Sequence, residues 1–287
     1  MRIIVTTDGS ERSLQALPHG ARFAQAVGGE LVLGHVVDPL LDLGGEMATS
    51  VAVAAGNVVE RWRRELAVLL EREGLAAEVE VIIKRAREPL PEAVLRLARE
   101  SKADVIAMAT RGTGALRHAV VGSTAMAVIS AGEVPVLAAG DAVTAPKAAG
   151  QTYRVLATSD GSAASEPALV ALGSVLPPGA VPVTLLRVCE CAPGADDAEA
   201  ACRAELETAR ALLPADLEVA QVLRQQAPGS DVATPILDAA EEFAADAIAM
   251  ATHGHSARRH LFAGSVALAV LARSERPLIL VRSGGGR

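Results

Sequence analysis

Short apolar runs alternate with longer amphipathic segments along the whole chain. In the first half the apolar runs predict five strands, at Arg2–Thr7, Glu30–Val37, Glu78–Lys84, Asp104–Ala109 and Pro135–Ala139. In the second half they predict five more, at Arg154–Ser159, Val183–Val188, Glu218–Leu223, Ala247–Ala251 and Leu278–Val281. The segments between them fit helices, with Ser10 or Ser13 and Ser123 as candidate N-caps. This alternation is typical of a parallel sheet covered by helices on both faces.

The chain contains two copies of one unit. Val5–Ser10 recurs as Ala157–Ser162, and Ala107–Gly112 recurs as Ala249–Gly254. In each copy the second of these segments is followed ten residues later by a Gly-Ser pair, at Gly122 or Gly264. A repeat of this length that carries the same strand and helix pattern indicates two similar domains.

The two copies differ in length at one place. A valine stands 28 residues after the Asp of each first segment, at Val36 and at Val188. From that valine to the glycine of the second segment there are 76 residues in copy one and 66 in copy two. The missing ten residues fall where copy one carries Asp38–Asn57. We predict that Gly140–Gln151 is the linker between the copies.

Composition excludes several classes of protein. Apolar residues make up 51% of the chain but aromatic residues only 2%, so each core is aliphatic, and both disorder and aromatic platforms for nucleic acid are disfavoured. The net charge of −7 gives no basic surface for nucleic acid or a membrane. The remaining classes are soluble α/β proteins that bind small molecules or other proteins.

Cysteine usage and the start of the chain predict a cytoplasmic protein. Cys189, Cys191 and Cys202 are too few for a disulfide framework, and we expect ordinary buried or loop thiols in a reducing compartment. Met1 leads directly into the first strand, with no charged and apolar leader before it.

The glycine-rich stretches after the fourth strand of each copy are candidate anion sites. Each follows a strand and opens a helix, so backbone N–H groups and a helix N-terminus would meet at one place. Copy one adds hydroxyls and the charges of Arg111 and Arg117. The alternative is a plain strand-to-helix turn. Asp8 and Asp160 end the first strands and would either accept hydrogen bonds from a ligand or cap the next helix.

The D-G-S strand ends, the H-V-V-D second strand and the paired G-x9-G-S loops resemble the universal stress protein family, arranged as a tandem. The resemblance implies two doubly wound five-stranded domains of strand order 3-2-1-4-5, of the adenine nucleotide alpha hydrolase-like type, at residues 1–143 and 152–287. It also implies a pseudo-twofold pair joined through the fifth strands. Family members with a G-x2-G-x9-G-S/T motif bind ATP. Here the first glycine is replaced by Ala109 and by Ala251.

The resemblance also implies the residues that would contact a nucleotide. In copy one these are Thr6, Asp8, Val36, Ala109, Thr110, Arg111, Gly112, Thr113, Gly114, Gly122, Ser123 and Thr124. In copy two they are Thr158, Asp160, Val188, Ala251, Thr252, His253, Gly254, His255, Ser256, Gly264, Ser265 and Val266.

From these observations we expect an ATP-binding module, with Mg²⁺ as a possible companion ion, that acts in stress sensing or signalling. Asp38–Asn57 is a candidate lid, which would make the copy-one site the more enclosed. Two alternatives stay open: a nucleotide-free dimerisation scaffold and a weak ATPase. No catalytic pair is recognisable, zinc binding by His253, His255 and His260 is disfavoured, and His35 is expected to be an interior histidine.

Overall fold

The computed structural model describes residues 1–39, 51–111, 121–148, 150–163, 165–192, 194–252 and 264–282, with the backbone alone for 51–55. Within these ranges no helix is long and apolar enough to cross a membrane. The candidate lid lies largely outside the described residues. Its described residues include the start of the helix Val51–Glu73.

Domain one contains the first five strands, which are β1 Arg2–Thr7, β2 Glu30–Val37, β3 Glu78–Ile83, β4 Val105–Ala109 and β5 Val136–Ala139. The helices that the structure describes in this domain are α1 Glu11–Leu14, α2 Ala16–Ala26, α3 Val51–Glu73, α4 Leu90–Glu100 and α5 Ser123–Ala131. Strand and helix alternate as predicted, and the predicted strand bounds differ from the observed ones by at most one residue.

Domain two contains β6 Val155–Thr158, β7 Val183–Glu190, β8 Val219–Gln226, β9 Ala247–Ala251 and β10 Leu278–Val281. Its helices are α6 Glu166–Val175, α7 Asp196–Ala211, α8 Ala233–Glu242 and α9 Ser265–Arg273. Two strands run beyond their predicted ends. They pair with each other as far as Glu190 and Gln226, because the β7–β8 ladder continues past the apolar positions on which the prediction rested.

Within the described residues all ten strands form one sheet, in the order β3-β2-β1-β4-β5-β10-β9-β6-β7-β8. Each domain therefore has the predicted order 3-2-1-4-5, with parallel neighbours. The domains join where β5 and β10 pair antiparallel, with Leu137 opposite Ile279. Both the fold class and the pairing through the fifth strands are confirmed.

The apolar strands feed two layers of core, one on each face of the sheet. Ile3 and Val5 of β1 belong to one layer, and Ile4 between them belongs to the other. Both layers continue across the domain junction, where Ile279 joins the first and Leu278 the second. A strand buried on both faces has no polar position to alternate with, which explains the continuous apolar runs in the sequence.

One predicted cap is confirmed and one is wrong. Ser10 is the N-cap of α1, and its Oγ accepts a hydrogen bond from the Ser13 backbone N–H at 3.2 Å. The N-cap of α5 is Gly122 rather than Ser123, which is the first helical residue. Gly122 occupies the cap because its extended backbone brings the chain back against the end of β4.

The segment predicted as a linker packs against both domains. Its described residues form neither helix nor strand. Arg22 of α2 donates a hydrogen bond to the Gln151 carbonyl and stacks over the ring of Tyr153, at the start of domain two. Burial raises the pKa of Tyr153. Buried His19, one turn before Arg22 on α2, is hydrogen-bonded to the Thr144 backbone.

Candidate functional site

A cavity of about 470 Å³ opens at the carboxyl ends of the domain-two strands. Ligands of open α/β sheets bind in this position, where strand order reverses between β6 and its two neighbours. Every predicted site residue of domain two that the structure describes lies on the cavity wall, namely Thr158, Asp160, Val188, Ala251, Thr252, Gly264, Ser265 and Val266. The other predicted residues of this copy, His253, Gly254, His255 and Ser256, lie outside the described residues, as does His260.

The wall of this domain-two cavity combines apolar and polar surfaces. Apolar side chains come from the second and fourth strands and from α8, namely Leu186, Val188, Ile236 and Met250. Hydroxyl groups come from Thr158, Ser159, Thr252 and Ser265. A volume of this size and a mostly apolar wall with a few polar groups are typical of small-molecule sites.

Both glycine-rich loops leave and return at one point of the sheet edge. In domain one the Thr110 N–H donates to the Ala139 carbonyl at 2.9 Å, and the Gly122 N–H donates to the Thr110 carbonyl at 2.7 Å. In domain two Thr252 and Gly264 repeat both bonds. The N-termini of α5 and α9 therefore lie beside the ends of β4 and β9.

The two alanines that replace a motif glycine occupy ordinary strand backbone. Ala109 ends β4 and Ala251 ends β9, and neither is among the described residues with positive φ. An added methyl is therefore tolerated by the backbone at both places. Gly122 is more restricted, because a Cβ there would lie 3.2 Å from the Thr110 carbonyl oxygen.

The two D-G-S turns, Asp8–Ser10 and Asp160–Ser162, are built alike. The Asp8 carboxylate accepts hydrogen bonds from the Ser10 N–H at 3.0 Å and the Ser10 hydroxyl at 2.6 Å. Asp160 makes the same two bonds to Ser162, at the same distances. Each carboxylate thus braces its own turn, and in domain one Ser10, not Asp8, caps the helix. Asp160 also lies on the cavity wall.

In domain one the structure describes part of the predicted set. Thr6 is buried on β1, and Val36 lies on β2. Thr110 is buried, and its hydroxyl has no hydrogen-bond partner among the described residues. Arg111 forms an ion pair with Asp141 at 2.5 Å. In this structure the Arg111 guanidinium therefore neutralises a linker carboxylate.

The remaining predicted site residues of domain one fall into two groups, those that the structure describes and those that it does not. Ser123 and Thr124 begin α5 beside the end of β4. Gly112, Thr113 and Gly114 lie outside the described residues, as does Arg117. The predicted difference in enclosure between the two sites depends on 40–50 and 112–120, which are not described, and it stays a prediction.

The universal stress protein family model matches residues 1–139 and again 152–282. The chain belongs to the universal stress protein family. A universal stress protein of Thermus aquaticus is 31% identical over 135 residues, which cover 47% of this chain and 95% of that protein. One from Methanocaldococcus jannaschii is 28% identical over 140 residues, which cover 47% of this chain and 79% of that protein.

Two solved structures match nearly the whole tandem. A universal stress protein from Archaeoglobus fulgidus superposes with a TM-score of 0.61 at 23% identity, covering 99% of this chain and 97% of its own. A putative universal stress protein from Pseudomonas aeruginosa has a TM-score of 0.57 at 16% identity, covering 98% and 93%. At these identities the likeness establishes the fold of a two-domain universal stress protein.

Sequence reasoning missed the side chains that cover the D-G-S turns of this universal stress protein. The Trp62 ring lies where a Cβ on Gly9 would be, and it stacks on His35 with 3.9 Å between ring centroids. His35 is buried as expected, with Nδ1 2.8 Å from the Thr7 carbonyl oxygen. Trp62 lies in a helix of interleaved charges, so its inward orientation had no signal in the sequence pattern.

Domain two covers the same turn with charge. Glu205 of α7 takes the position of Trp62 over Gly161, and Arg187 of β7 takes the position of His35. The Arg187 Nε and Nη2 donate to the Glu205 carboxylate at 3.0 and 2.8 Å. Arg187 Nη1 donates to the Val188 carbonyl at 2.8 Å. Arg187 also lies on the cavity wall, beside Val188, which the family resemblance implies as a nucleotide contact.

The expectation of three ordinary thiols is wrong. Cys189 and Cys202 form a disulfide, and Cys191 is a buried free thiol. The cause is the crossover geometry of the domain, in which α7 packs back onto β7 and brings the two Cα atoms within 6.0 Å. Such a distance suits a disulfide, but a separation of 13 residues does not reveal it.

Proposed function

We propose that this tandem universal stress protein binds an adenine nucleotide, with ATP as the principal ligand, in the domain-two cavity. The proposal rests on a cavity of about 470 Å³ whose wall is formed by the strand ends and by the N-terminus of α9. We further propose that occupancy changes the surface offered to partners in a stress response, as a sensing or signalling module.

The apolar part of the cavity wall is suited to an adenine base. Leu186, Ile236 and Met250 are buried side chains from three elements that face one cavity. The Val188 backbone at the end of β7 supplies the hydrogen-bonding edge that an adenine ring requires. Its carbonyl already accepts one bond from Arg187 and has a second lone pair for a ligand donor.

The polar part of the cavity wall is suited to the phosphates. Gly264 has no side chain to cap α9, and the Ser265 hydroxyl lies at the first helical position on the cavity wall. Unsatisfied N–H groups in the first turn of a helix, together with its dipole, favour an anion. The described residues contain no cluster of metal-ligating side chains, so we propose Mg²⁺ only as an ion carried by the nucleotide.

Domain one supports a second site less directly. Thr110 and Gly122 repeat the backbone arrangement of Thr252 and Gly264. The Thr110 hydroxyl is a buried polar group without a partner among the described residues, which a ligand oxygen would satisfy. The pairing of Arg111 with Asp141 removes one of the predicted charges. We therefore propose domain two as the stronger site.

Calorimetric titration of the full chain with ATP, with and without Mg²⁺, tests the proposal. Gly264→Val places a branched side chain at the N-cap of α9 and is expected to abolish the tighter binding event. Gly122→Val is the matched control in domain one and should leave that event intact. Trp62 is the sole tryptophan of the chain, so its fluorescence reports ligand near domain one.

Other outcomes of these experiments would favour a different function. No binding at saturating ATP, and no nucleotide carried through gentle purification, would overturn the proposal in favour of a dimerisation scaffold. Phosphate release that disappears in Gly264→Val would add a weak ATPase activity. Domain bounds at residues 1–143 and 152–287, a cytoplasmic location and possible association of two chains remain predictions.

A further inference from the structure

The disulfide lies in the wall of the domain-two cavity. Cys189 follows Val188 at the end of β7, and Cys202 lies in α7. Both residues line the cavity although they are only 1% and 8% exposed overall. Because so little of either residue is exposed, the bond is shielded from solvent, and a small reductant reaches it through the cavity only when α7 moves away from β7.

The bond joins β7 and α7, two parts of the wall that are otherwise held by packing and by the Arg187–Glu205 ion pair. Ala198, in the first turn of α7, also lines the cavity. With the bond intact, α7 is fixed to the strand whose backbone is proposed to contact the base. A covalent link between these elements restricts the conformations that the wall can adopt.

The surroundings also suit the reduced pair. Cys189 Sγ lies 3.6 Å from the Ala198 carbonyl oxygen, so a Cys189 thiol has an acceptor in place. Cys191 packs in the same small apolar cluster as the pair. Thiols are tolerated in such a cluster because cysteine behaves there as a small apolar residue.

Domain one has no counterpart. All three cysteines of the chain lie in domain two, and the position of Cys189 is taken by Val37 in domain one. Alignment of Trp62 with Glu205, which both cover a D-G-S glycine, places Val59 opposite Cys202. An aliphatic pair, with Val37 buried and Val59 partly buried, therefore stands where domain two has the disulfide.

We propose that Cys189 and Cys202 form a thiol–disulfide redox site whose state controls nucleotide affinity in domain two. This inference rests on the proposed function. Disulfides in a reducing compartment are usually transient or redox-sensing, which suits the location that the sequence predicts. The oxidised form holds the wall for the nucleotide, and the reduced form releases α7 and binds it more weakly.

The chemistry requires a dithiol reductant. One of its thiolates attacks a sulfur of the pair, the Cys189–Cys202 bond breaks, and a mixed disulfide forms. The second thiolate displaces the protein sulfur, so the reductant leaves as a disulfide. Two electrons and two protons pass to the protein, which then carries two thiols. An oxidised glutathione pool reverses the exchange.

The experiment compares full-length protein treated with oxidised glutathione and with dithiothreitol, each state verified by intact mass and thiol alkylation. ATP with Mg²⁺ is titrated into both. We expect affinity in domain two to fall at least about fivefold on reduction, the low end of typical coupling between sites. The Cys189→Ser and Cys202→Ser double variant should match the reduced protein and ignore dithiothreitol. Cys191→Ala is the matched control and should behave as wild type.

Reciprocity supplies a second readout that needs no variant. If oxidation favours ATP, then ATP must favour the oxidised pair by the same factor. In a fixed ratio of reduced to oxidised dithiothreitol, added ATP should raise the oxidised fraction. Equal affinity in both states, or three alkylated cysteines after oxidation, would overturn the redox site alone. Binding in neither state would overturn the proposed function as well.

Discussion

The two D-G-S turns have the same backbone and opposite chemistry above it. In domain one the turn is covered by the stacked rings of Trp62 and His35. In domain two it is covered by the ion pair of Arg187 and Glu205. The glycine beneath has positive φ in both, +82° at Gly9 and +72° at Gly161.

This difference shows which part of the duplicated unit is fixed. The strand ends and the bonds that close the glycine loops are the same in both domains and are made by the backbone. Each aspartate carboxylate braces its turn through the same two bonds to a serine. The crossover helix α3 or α7 only has to cover the turn, and a ring and a carboxylate both do so. The surroundings of a ligand therefore differ, because in domain two Arg187, paired with Glu205, lies on the cavity wall.

Removal of the covering side chain is expected to have the largest effect on stability, and a larger one in domain one than in domain two. Trp62→Ala is expected to destabilise domain one by about 3 kcal/mol, the lower end for Trp→Ala because the ring is only partly buried. Glu205→Ala removes an ion pair whose carboxylate is half-exposed and should cost about 1 kcal/mol. Urea unfolding followed by far-UV circular dichroism measures both.

Leu69→Ala on α3 is a control for the loss of apolar volume away from the turn. If Trp62→Ala and Glu205→Ala lowered the free energy of unfolding equally, the stacked rings and the ion pair would stabilise their turns to the same extent.

Substitution of the covered glycines is expected to have a smaller effect on stability. Gly9→Ala and Gly161→Ala both force a side chain into the left-handed region, at about 1 kcal/mol each. A Cβ at Gly9 meets the Trp62 ring, whereas one at Gly161 meets the movable end of Glu205. We expect a total of about 2 kcal/mol at Gly9 against about 1 at Gly161.

Thermal unfolding of the two variants side by side measures this difference. Gly179→Ala is the matched control, because that glycine has positive φ with open space around it. A Gly161→Ala variant at least as unstable as Gly9→Ala would show that Glu205 is held as rigidly as the ring.

The fold was predictable because its determinants are local or repeated. The apolar runs of both copies locate the ten strands of the described residues. The eight inner strands are buried on both faces and contain little else, whereas the edge strands β3 and β8 are only partly buried. The repeat aligned Thr158, Asp160 and Val188 with their counterparts, and the structure places all three on one wall. Family knowledge, rather than periodicity, supplied the strand order.

The side chains that distinguish the two halves were not predictable. Which face of α3 or α7 turns inward depends on how the helix packs, so the inward position of Trp62 and the approach of Cys202 to Cys189 have no local pattern. The same holds for Arg111, whose partner Asp141 follows the carboxyl end of the neighbouring strand β5. These contacts join residues that the sequence separates.

The loops after the third strands offer a comparison of ion pairs. In domain one Arg96 holds Glu88 with side chains only 12% and 11% exposed, and its hydrogen bond lowers the pKa of Glu88 to about 2. In domain two Thr234 and Arg273 lower the pKa of Asp231, but Arg273 and Asp231 are 44% and 53% exposed. We expect Glu88→Gln to cost about 1.5 kcal/mol at pH 7 and Asp231→Asn less.

The pH dependence of stability tests whether the charge of the Glu88 carboxylate is the source of this contribution. A lowered pKa stabilises the fold above the ordinary value of 4.5, and this contribution is lost as pH falls towards about 2. The gap in melting temperature between wild type and Glu88→Gln should therefore be full at pH 7 and close below pH 4.5. A gap that is constant with pH would mean that the carboxylate charge is not the source.

The smallest expected effect concerns His19, which stands where domain two has Ala171. Burial lowers the pKa of His19, and its hydrogen bond to the Thr144 backbone raises it by less. The unfolded chain therefore binds a proton near pH 6.5 that the folded chain resists, and stability falls as pH drops below that value.

His19→Gln keeps a hydrogen-bond donor for the Thr144 backbone but has no group that titrates in this range. Wild type should lose more stability than His19→Gln between pH 6.5 and 5, and the excess should be seen by Trp62 fluorescence in domain one. Parallel losses in the two proteins would assign the acid sensitivity to other histidines and leave the domains alike in this respect.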